Sequence, residues 1–160
     1  MQLLSQLGFR FVRWQSRRGL QESSATRDKK HTALRTGVRG ETYAYWYLRH
    51  LGYIFIAKNY MPSRDKGEID LIGFDGNTLA FVEVRTRRAS KEKKALPELS
   101  ITREKHEVLV RTAHNFLREH YLQDCPIRFD VLAIDHADGE PPVVRLHKDA
   151  LSPQLPPRWH

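Results

Sequence analysis

The sequence is poor in the features that mark several large classes of protein. Its 160 residues include one cysteine, Cys125, which excludes a disulfide scaffold and a Cys-rich zinc module and is typical of a reducing, cytoplasmic setting. No apolar run approaches the roughly 20 residues of a membrane-spanning helix, so we expect no integral membrane association. There is no P-loop and no GxGxxG turn, and His106-Glu107 lacks the second histidine of an HExxH zinc site because Val110 stands there.

Acidic residues are scarce near the N-terminus. The chain has 27 Lys and Arg against 19 Asp and Glu, a net charge of +8, and most of this excess lies in the first 36 residues. A charge of this sign favours a polyanionic partner, either nucleic acid or an anionic membrane surface. This distribution indicates a basic N-terminal extension, followed by a folded domain in which acidic and basic residues are nearly equal in number.

The chain divides into three parts. Residues 1–35 are basic and predict a flexible N-terminal extension, residues 36–151 a single folded domain, and residues 152–160 a frayed C-terminal tail. Within the extension, apolar residues at helical spacing over residues 1–20 leave a minor alternative open. That segment would form an amphipathic helix and bind an anionic membrane or a partner protein.

Hydrophobic periodicity predicts an α/β domain. Apolar residues at helical spacing indicate two helices, and short β-branched and aromatic runs bounded by turn residues indicate strands. The order is α-β-β-β-α-β with one further strand, which predicts a mixed central sheet flanked by helices. The elements are helices over residues 37–51 and 102–121, and strands over 53–57, 68–74, 78–85, 127–134 and 143–146.

Carboxylates stand in two strands that are otherwise apolar. Asp70 lies in the segment GEIDLI at 67–72, and Glu83 lies in FVEVR at 81–85. A hairpin joins these strands, so the two buried carboxylates would raise each other's pKa unless a cation lies between them. Mg²⁺ or Mn²⁺ would resolve this conflict, since hard cations bind carboxylate and phosphate oxygens. The alternative is a network of ion pairs with Arg85 and a nearby lysine.

Side chains alternate between the two faces of a strand, which predicts how these residues are distributed. Glu68, Asp70 and Ile72 are expected on one face of the sheet, and Ile69 and Leu71 on the other. On the returning strand the predicted face is shared by Leu79, Phe81, Glu83 and Arg85, opposite Val82 and Val84.

These motifs resemble those of known nucleases. An acidic residue followed, after a gap, by Glu-x-Lys on adjoining strands is the pattern of the PD-(D/E)xK superfamily, and the predicted element order is similar to its core. The chain resembles more closely the YraN-like family of small bacterial proteins, which is grouped with restriction-endonuclease-like and Holliday-junction-resolvase-like folds. The resemblance covers roughly residues 37–147. It is carried by Gly40-Glu41, Asn59 and the segments 67–72 and 81–87.

The resemblance implies a function as well as a fold. It implies a nucleic-acid-binding protein that hydrolyses phosphodiester bonds with a bound Mg²⁺ or Mn²⁺. The expected substrate is structured or branched DNA rather than RNA, and a homodimer is expected because resolvase-like proteins are often dimers. Asp70, Glu83 and Glu41 would hold the metal, and Glu68 would support the site.

One residue departs from the pattern of the family. Its lysine, which orients or deprotonates the attacking water, is replaced here by Arg85. Because arginine stays protonated, Arg85 can bind the scissile phosphate but cannot act as a base. The second function left open is therefore a non-catalytic nucleic-acid-binding module of the same fold.

Three further residues admit two interpretations each. Lys105, on the apolar stripe of the second helix, is a candidate for positioning the water or a lysine whose stem snorkels along the stripe. Glu41 is a metal ligand or an acid stabilised by the helix N-terminus, and Asp130 supports the site or is exposed. Phosphate contacts are expected from the basic residues that follow Glu83, namely Arg87, Arg88, Lys91, Lys93 and Lys94.

Overall fold

Two helices and five strands make up the part of the chain that the computed structural model describes, which is residues 29–63, 65–88, 101–137 and 140–153. Predictions for residues 1–28, 89–100 and 154–160 fall outside these ranges. In chain order the elements are α1 (Lys29–His50), β1 (Ile54–Tyr60), β2 (Ile69–Asp75), β3 (Thr78–Arg88), α2 (Arg103–Glu119), β4 (Ile127–His136) and β5 (Val143–Leu151).

The strands form one sheet in the order β1-β2-β3-β4-β5. β3 and β4 are parallel, whereas the other neighbours are antiparallel. A parallel pair cannot be joined by a tight hairpin, so the chain crosses from β3 to β4 through α2. The mixed α/β architecture expected from the sequence is confirmed, with β5 as the additional strand.

Each face of the sheet is covered by one helix, which explains why the central strands are almost wholly apolar. Within the described ranges, neither helix combines the length and apolarity needed to cross a membrane. The cluster on the α2 face contains Ile69, Ile72, Leu79, Phe81, Leu109, Val110, Ala113, Phe116, Leu117 and Phe129. The cluster on the α1 face contains Tyr43, Ala44, Leu48, Tyr53, Leu71, Ala80, Val82, Leu132 and Ile134.

The end of α1, at His50, lies one residue from its predicted position and is fixed by a glycine. Gly52 has a φ of 102°, a conformation that costs a residue without Cβ little. Its N–H donates to the carbonyl of Arg49, and the N–H of Tyr53 donates to the carbonyl of Leu48. This pair of hydrogen bonds is a Schellman motif, and it turns the chain directly into β1.

Two local predictions were wrong. α1 begins at Lys29 rather than at residue 37; its first turns contain good helix formers but no acidic residue or apolar period that marks a start. The alternation along β2 is also interrupted, because Ile69 packs in the same cluster as Ile72 while Leu71 packs in the other. The interruption falls at Asp70.

Candidate functional site

Asp70 lies where β2 and β3 separate. Their ladder ends at the pair Leu71–Val82, and the N–H of Val84, beyond it, donates to Asp70 Oδ2 at 2.6 Å. The carboxylate therefore replaces the next rung of the ladder. This explains why a charged residue is tolerated in a strand whose neighbours are fully buried.

The surroundings of Asp70 are acidic. Burial, and then the charges of Glu83, Glu41 and Glu68, raise the pKa of Asp70 to about 7, while the hydrogen bond from Val84 acts in the opposite direction. The carboxylates predicted from the sequence are thus electrostatic neighbours. A raised pKa is the expected response of a partly buried carboxyl that has other carboxylates beside it.

Glu83 lies between two basic side chains. Lys105 Nζ is 3.4 Å and Arg85 Nε 3.5 Å from its Oε1 atom, and the Glu83 side chain is 12% exposed. Lys105 comes from the first turn of α2, where its own N–H donates to the hydroxyl of the N-cap residue Thr102 at 3.3 Å. The cap fixes the start of the helix, and the helix start carries the lysine to the strand.

Glu41 reaches the site because α1 approaches β3 closely. A Cβ on Gly40 would overlap the side chain of Thr86, so only glycine permits this approach without displacing the threonine. Glu41 Oε2 then accepts a hydrogen bond of 3.1 Å from Asn59 Nδ2. Asn59 itself has a φ of 49°, which asparagine adopts more readily than most residues.

Arg85 has one donor that the fold leaves unused. Its Nε atom is buried and has no hydrogen-bond partner among the described residues, although it lies within ion-pair distance of Glu83. Buried donors are almost always satisfied, and Glu83 Oε1, 3.5 Å away, is an acceptor within ion-pair distance of this one. The Arg85 side chain as a whole is 37% exposed, and an anionic oxygen, such as that of a phosphate, suits its other guanidinium N–H groups.

The candidate metal ligands Glu41, Asp70 and Glu83 have the chemistry that suits a hard divalent cation, because all three offer carboxylate oxygens and their charges repel one another. However, in the described ranges no group of three or more His, Cys, Asp and Glu side chains is arranged to hold a metal ion. Glu41 is turned to Asn59, and Glu83 is turned to Lys105 and Arg85. Metal binding by Glu41, Asp70 and Glu83 therefore stays a prediction, and it requires these carboxylates to exchange their present partners.

Only some of the predicted phosphate-binding residues lie within the described ranges. Arg87 is exposed and forms a two-pronged contact with Asp135, which also accepts from Arg145. Its charge is thus shared with a carboxylate rather than directed wholly to solvent. Arg88 ends β3, and Lys91, Lys93 and Lys94 lie outside the described residues.

A second polar cluster contains the residue that the sequence left undecided. Asp130 is 1% exposed, so the interpretation as a surface residue was wrong. It accepts hydrogen bonds from Tyr53 Oη at 3.0 Å and from Arg128 Nε at 2.9 Å. Arg128 also pairs with Asp75. An arginine two residues before an aspartate shares its face of a strand, and this spacing was the available signal.

Comparisons with known proteins agree with the resemblance. The family model described as "Uncharacterised protein family UPF0102" matches residues 40–134. A UPF0102 protein of Koribacter versatilis is 36% identical over 117 residues, 73% of this chain and 79% of that protein. A UPF0102 protein of Pseudomonas fluorescens is 41% identical over 113 residues, 69% of this chain and 89% of that protein. The matched region contains every carboxylate of the candidate site.

Proposed function

Because this chain belongs to the UPF0102 family, whose name states no activity, we propose its function from the site itself: a metal-dependent phosphodiesterase that acts on nucleic acid. Glu83 contacts the amine of Lys105 and the guanidinium of Arg85, and Asp70, on the adjacent strand, is its electrostatic neighbour. The proposal depends most on the contact between Lys105 and Glu83. Through this contact α2 supplies an amine, in place of the lysine that the nuclease pattern has at position 85. Structured or branched DNA is the proposed substrate.

Each side chain has a role that follows from its chemistry. Asp70, Glu83 and Glu41 would hold Mg²⁺ or Mn²⁺, which when bound polarises the phosphate and lowers the pKa of water. Arg85 binds the scissile phosphate and offsets the charge that develops on it, because a guanidinium cannot lose its proton. Lys105, whose amine lies beside Glu83, orients the attacking water.

The test is cleavage of branched and linear DNA by the full chain while Mg²⁺ or Mn²⁺ is titrated. We expect product that depends on the metal, and we expect Asp70→Asn to reduce its rate by about 100-fold or more. Asp65→Asn is the matched control, because Asp65 pairs with Arg111 on the outside of α2. Absence of metal-dependent product, or equal rates for the wild type and Asp70→Asn, would overturn the proposal.

A specific observation favours a second function, a nucleic-acid-binding module without turnover. Glu41, Asp70 and Glu83 each have a protein partner already, and no metal-binding group is formed among the described residues. This function requires salt-sensitive binding of DNA that survives Glu83→Gln, in a protein that gives no product with either metal. A homodimer and a cytoplasmic location are predictions under both functions.

A further inference from the structure

An aromatic and cationic patch lies on α1 and β1, beside the carboxylates that the proposed function uses but made of other residues. The Tyr45 ring packs against Phe55 at 5.1 Å between centroids. Lys58 Nζ lies over the Tyr45 ring at 4.7 Å, and Arg49 Cζ lies 5.9 Å from the same ring centre. We call Tyr45, Trp46, Arg49 and Lys58 the α1 patch.

Trp46 is the member of the α1 patch that the fold explains least. It is two residues from Ala44 and from Leu48, both fully buried, so it stands on the opposite side of the helix from the core. Among the described residues its one aromatic contact is with Tyr45, edge-to-face at 5.3 Å and 85°. Trp46 is partly buried, and the exposed part of its indole offers a flat surface for stacking.

The two cations of the α1 patch are not neutralised within the described ranges. Neither Arg49 nor Lys58 pairs there with a carboxylate; both face the Tyr45 ring instead. Two positive charges beside an outward indole are complementary to a polyanion that also carries flat rings. A nucleic-acid strand has this combination, since its phosphates attract cations and its bases stack on aromatic side chains.

The α1 patch adjoins the candidate site. Tyr45 follows Glu41 by one helical turn, and residues four apart on a helix lie on the same face about 6 Å apart. Lys58 and Asn59 are consecutive in β1, and they contact Tyr45 and Glu41 respectively. Two successive links therefore join α1 to β1, one at the acidic cluster and one at the patch.

We propose that the α1 patch binds an unpaired stretch of nucleic acid, with a base stacked on Trp46 and phosphates held by Lys58 and Arg49. Stacking is assigned to Trp46 because Lys58 and Phe55 already contact the Tyr45 ring. The inference rests on the proposed function, and it narrows the substrate to nucleic acid with unpaired bases next to the bond that is cut. A continuous duplex keeps its bases stacked on one another and cannot occupy this site.

The experiment uses the fluorescence of Trp46. The chain contains three tryptophans, so Trp14→Phe and Trp159→Phe leave Trp46 as the sole tryptophan in the full-length protein, and it is excited selectively over tyrosine. Titration is carried out in EDTA with oligo-dT, with an abasic deoxyribose-phosphate oligomer of equal length, and with a duplex. We expect oligo-dT to quench the emission and to bind more tightly than the other two, because only oligo-dT supplies unpaired bases.

Variants separate stacking from charge. Trp46→Leu keeps an apolar side chain, and we expect it to weaken oligo-dT binding about tenfold without changing binding of the abasic oligomer. Arg49→Ala should weaken binding of both and reduce its salt dependence. Arg118→Ala is the matched control, because it removes the same charge from α2, on the other face of the sheet, and should leave binding unchanged.

The outcomes distinguish this inference from the proposed function. If oligo-dT binds but the emission of Trp46 is unchanged, or if the abasic oligomer binds equally well, the stacking site is wrong while hydrolysis remains to be judged by its own assay. If quenching occurs but no metal yields product, the α1 patch stands and the phosphodiesterase proposal fails. If no oligomer binds at low salt, both are overturned.

Discussion

Two aspartates of the same sheet, Asp130 buried and Asp70 partly buried, have opposite surroundings. Asp130 accepts hydrogen bonds from Tyr53, from Arg128 and from the backbone N–H of Asp149, and it is 1% exposed. Asp70 accepts from one backbone N–H and otherwise faces carboxylates. The first is compensated within the fold, whereas the second is left with a charge that the fold does not balance.

The difference also shows in the groups around each aspartate. Burial, and then the negative charge of Asp130, raise the pKa of Tyr53, so the tyrosine keeps its proton and remains a donor to the carboxylate. Around Asp70 the pKa of the aspartate itself rises to about 7. A compensated buried charge is typical of a structural role, and an uncompensated one of a site that binds something else.

The largest effect on stability is expected at Arg128. Arg128→Met leaves Asp130 buried without its cation, so we expect the free energy of unfolding to fall by about 3 to 5 kcal/mol in chemical denaturation. Arg111→Met removes an exposed arginine from a surface ion pair and should change stability by less than about 1 kcal/mol. Equal effects of the two substitutions would show that Asp130 does not depend on its arginine.

A smaller effect, dependent on pH, is expected at Asp70. Because its pKa is raised in the folded state, the folded protein binds this proton more tightly than the unfolded chain. The resulting stabilisation is complete below about pH 4 and is lost as the pH rises through about 7. In EDTA, the stability of the wild type relative to Asp70→Asn should fall by about 2 to 4 kcal/mol between pH 4 and pH 8.

Asp75 provides the control for this measurement. Hydrogen bonds from Lys148 and Arg128 lower the pKa of Asp75, so its stabilisation is present above its unfolded pKa and is lost as the pH falls through the lower folded value. Asp75→Asn should therefore alter the stability profile only in acid. A pH profile that is the same for the wild type and Asp70→Asn would contradict the comparison.

The smallest effect on stability is expected at Lys105. Its side chain is 38% exposed, so loss of the contact with Glu83 in Lys105→Ala should cost less than about 1 kcal/mol. Under the proposed function, cleavage should nevertheless fall about 100-fold. Lys105→Arg should not restore it, because the larger planar guanidinium does not hold a water where the compact ammonium does. A loss of stability comparable to that of Arg128→Met would make Lys105 a structural cation instead.

Sequence patterns predicted the features that local chemistry decides. The hairpin between β2 and β3, the end of α1 and the apolar stripe of α2 depend on residues that are close in the chain, and each lies where it was expected. The order of helices and strands followed from them. The acidic neighbours of Asp70 were expected from the hairpin and from the family resemblance.

Other features depend on contacts that no local pattern contains. Tyr53 and Asp130 are 77 residues apart in sequence, so the burial of Asp130 is decided by a helix-to-strand turn elsewhere in the chain. The interruption at Asp70 arises because β2 separates from β3, which periodicity alone cannot predict. Lys105 reaches Glu83 only through the crossover that the parallel strands require.

The irregular shape of β1 has a consequence for how molecules of this protein meet in a crowded solution. β1 is an edge strand of the described sheet, with a register shift between Phe55 and Ala57 and a left-handed residue at Asn59. A straight edge would offer unpaired N–H and C=O groups to a strand of another chain and begin an aggregate. The shift and the left-handed turn interrupt that template within seven residues, so we expect this edge of the sheet to be a poor site for the addition of a further strand.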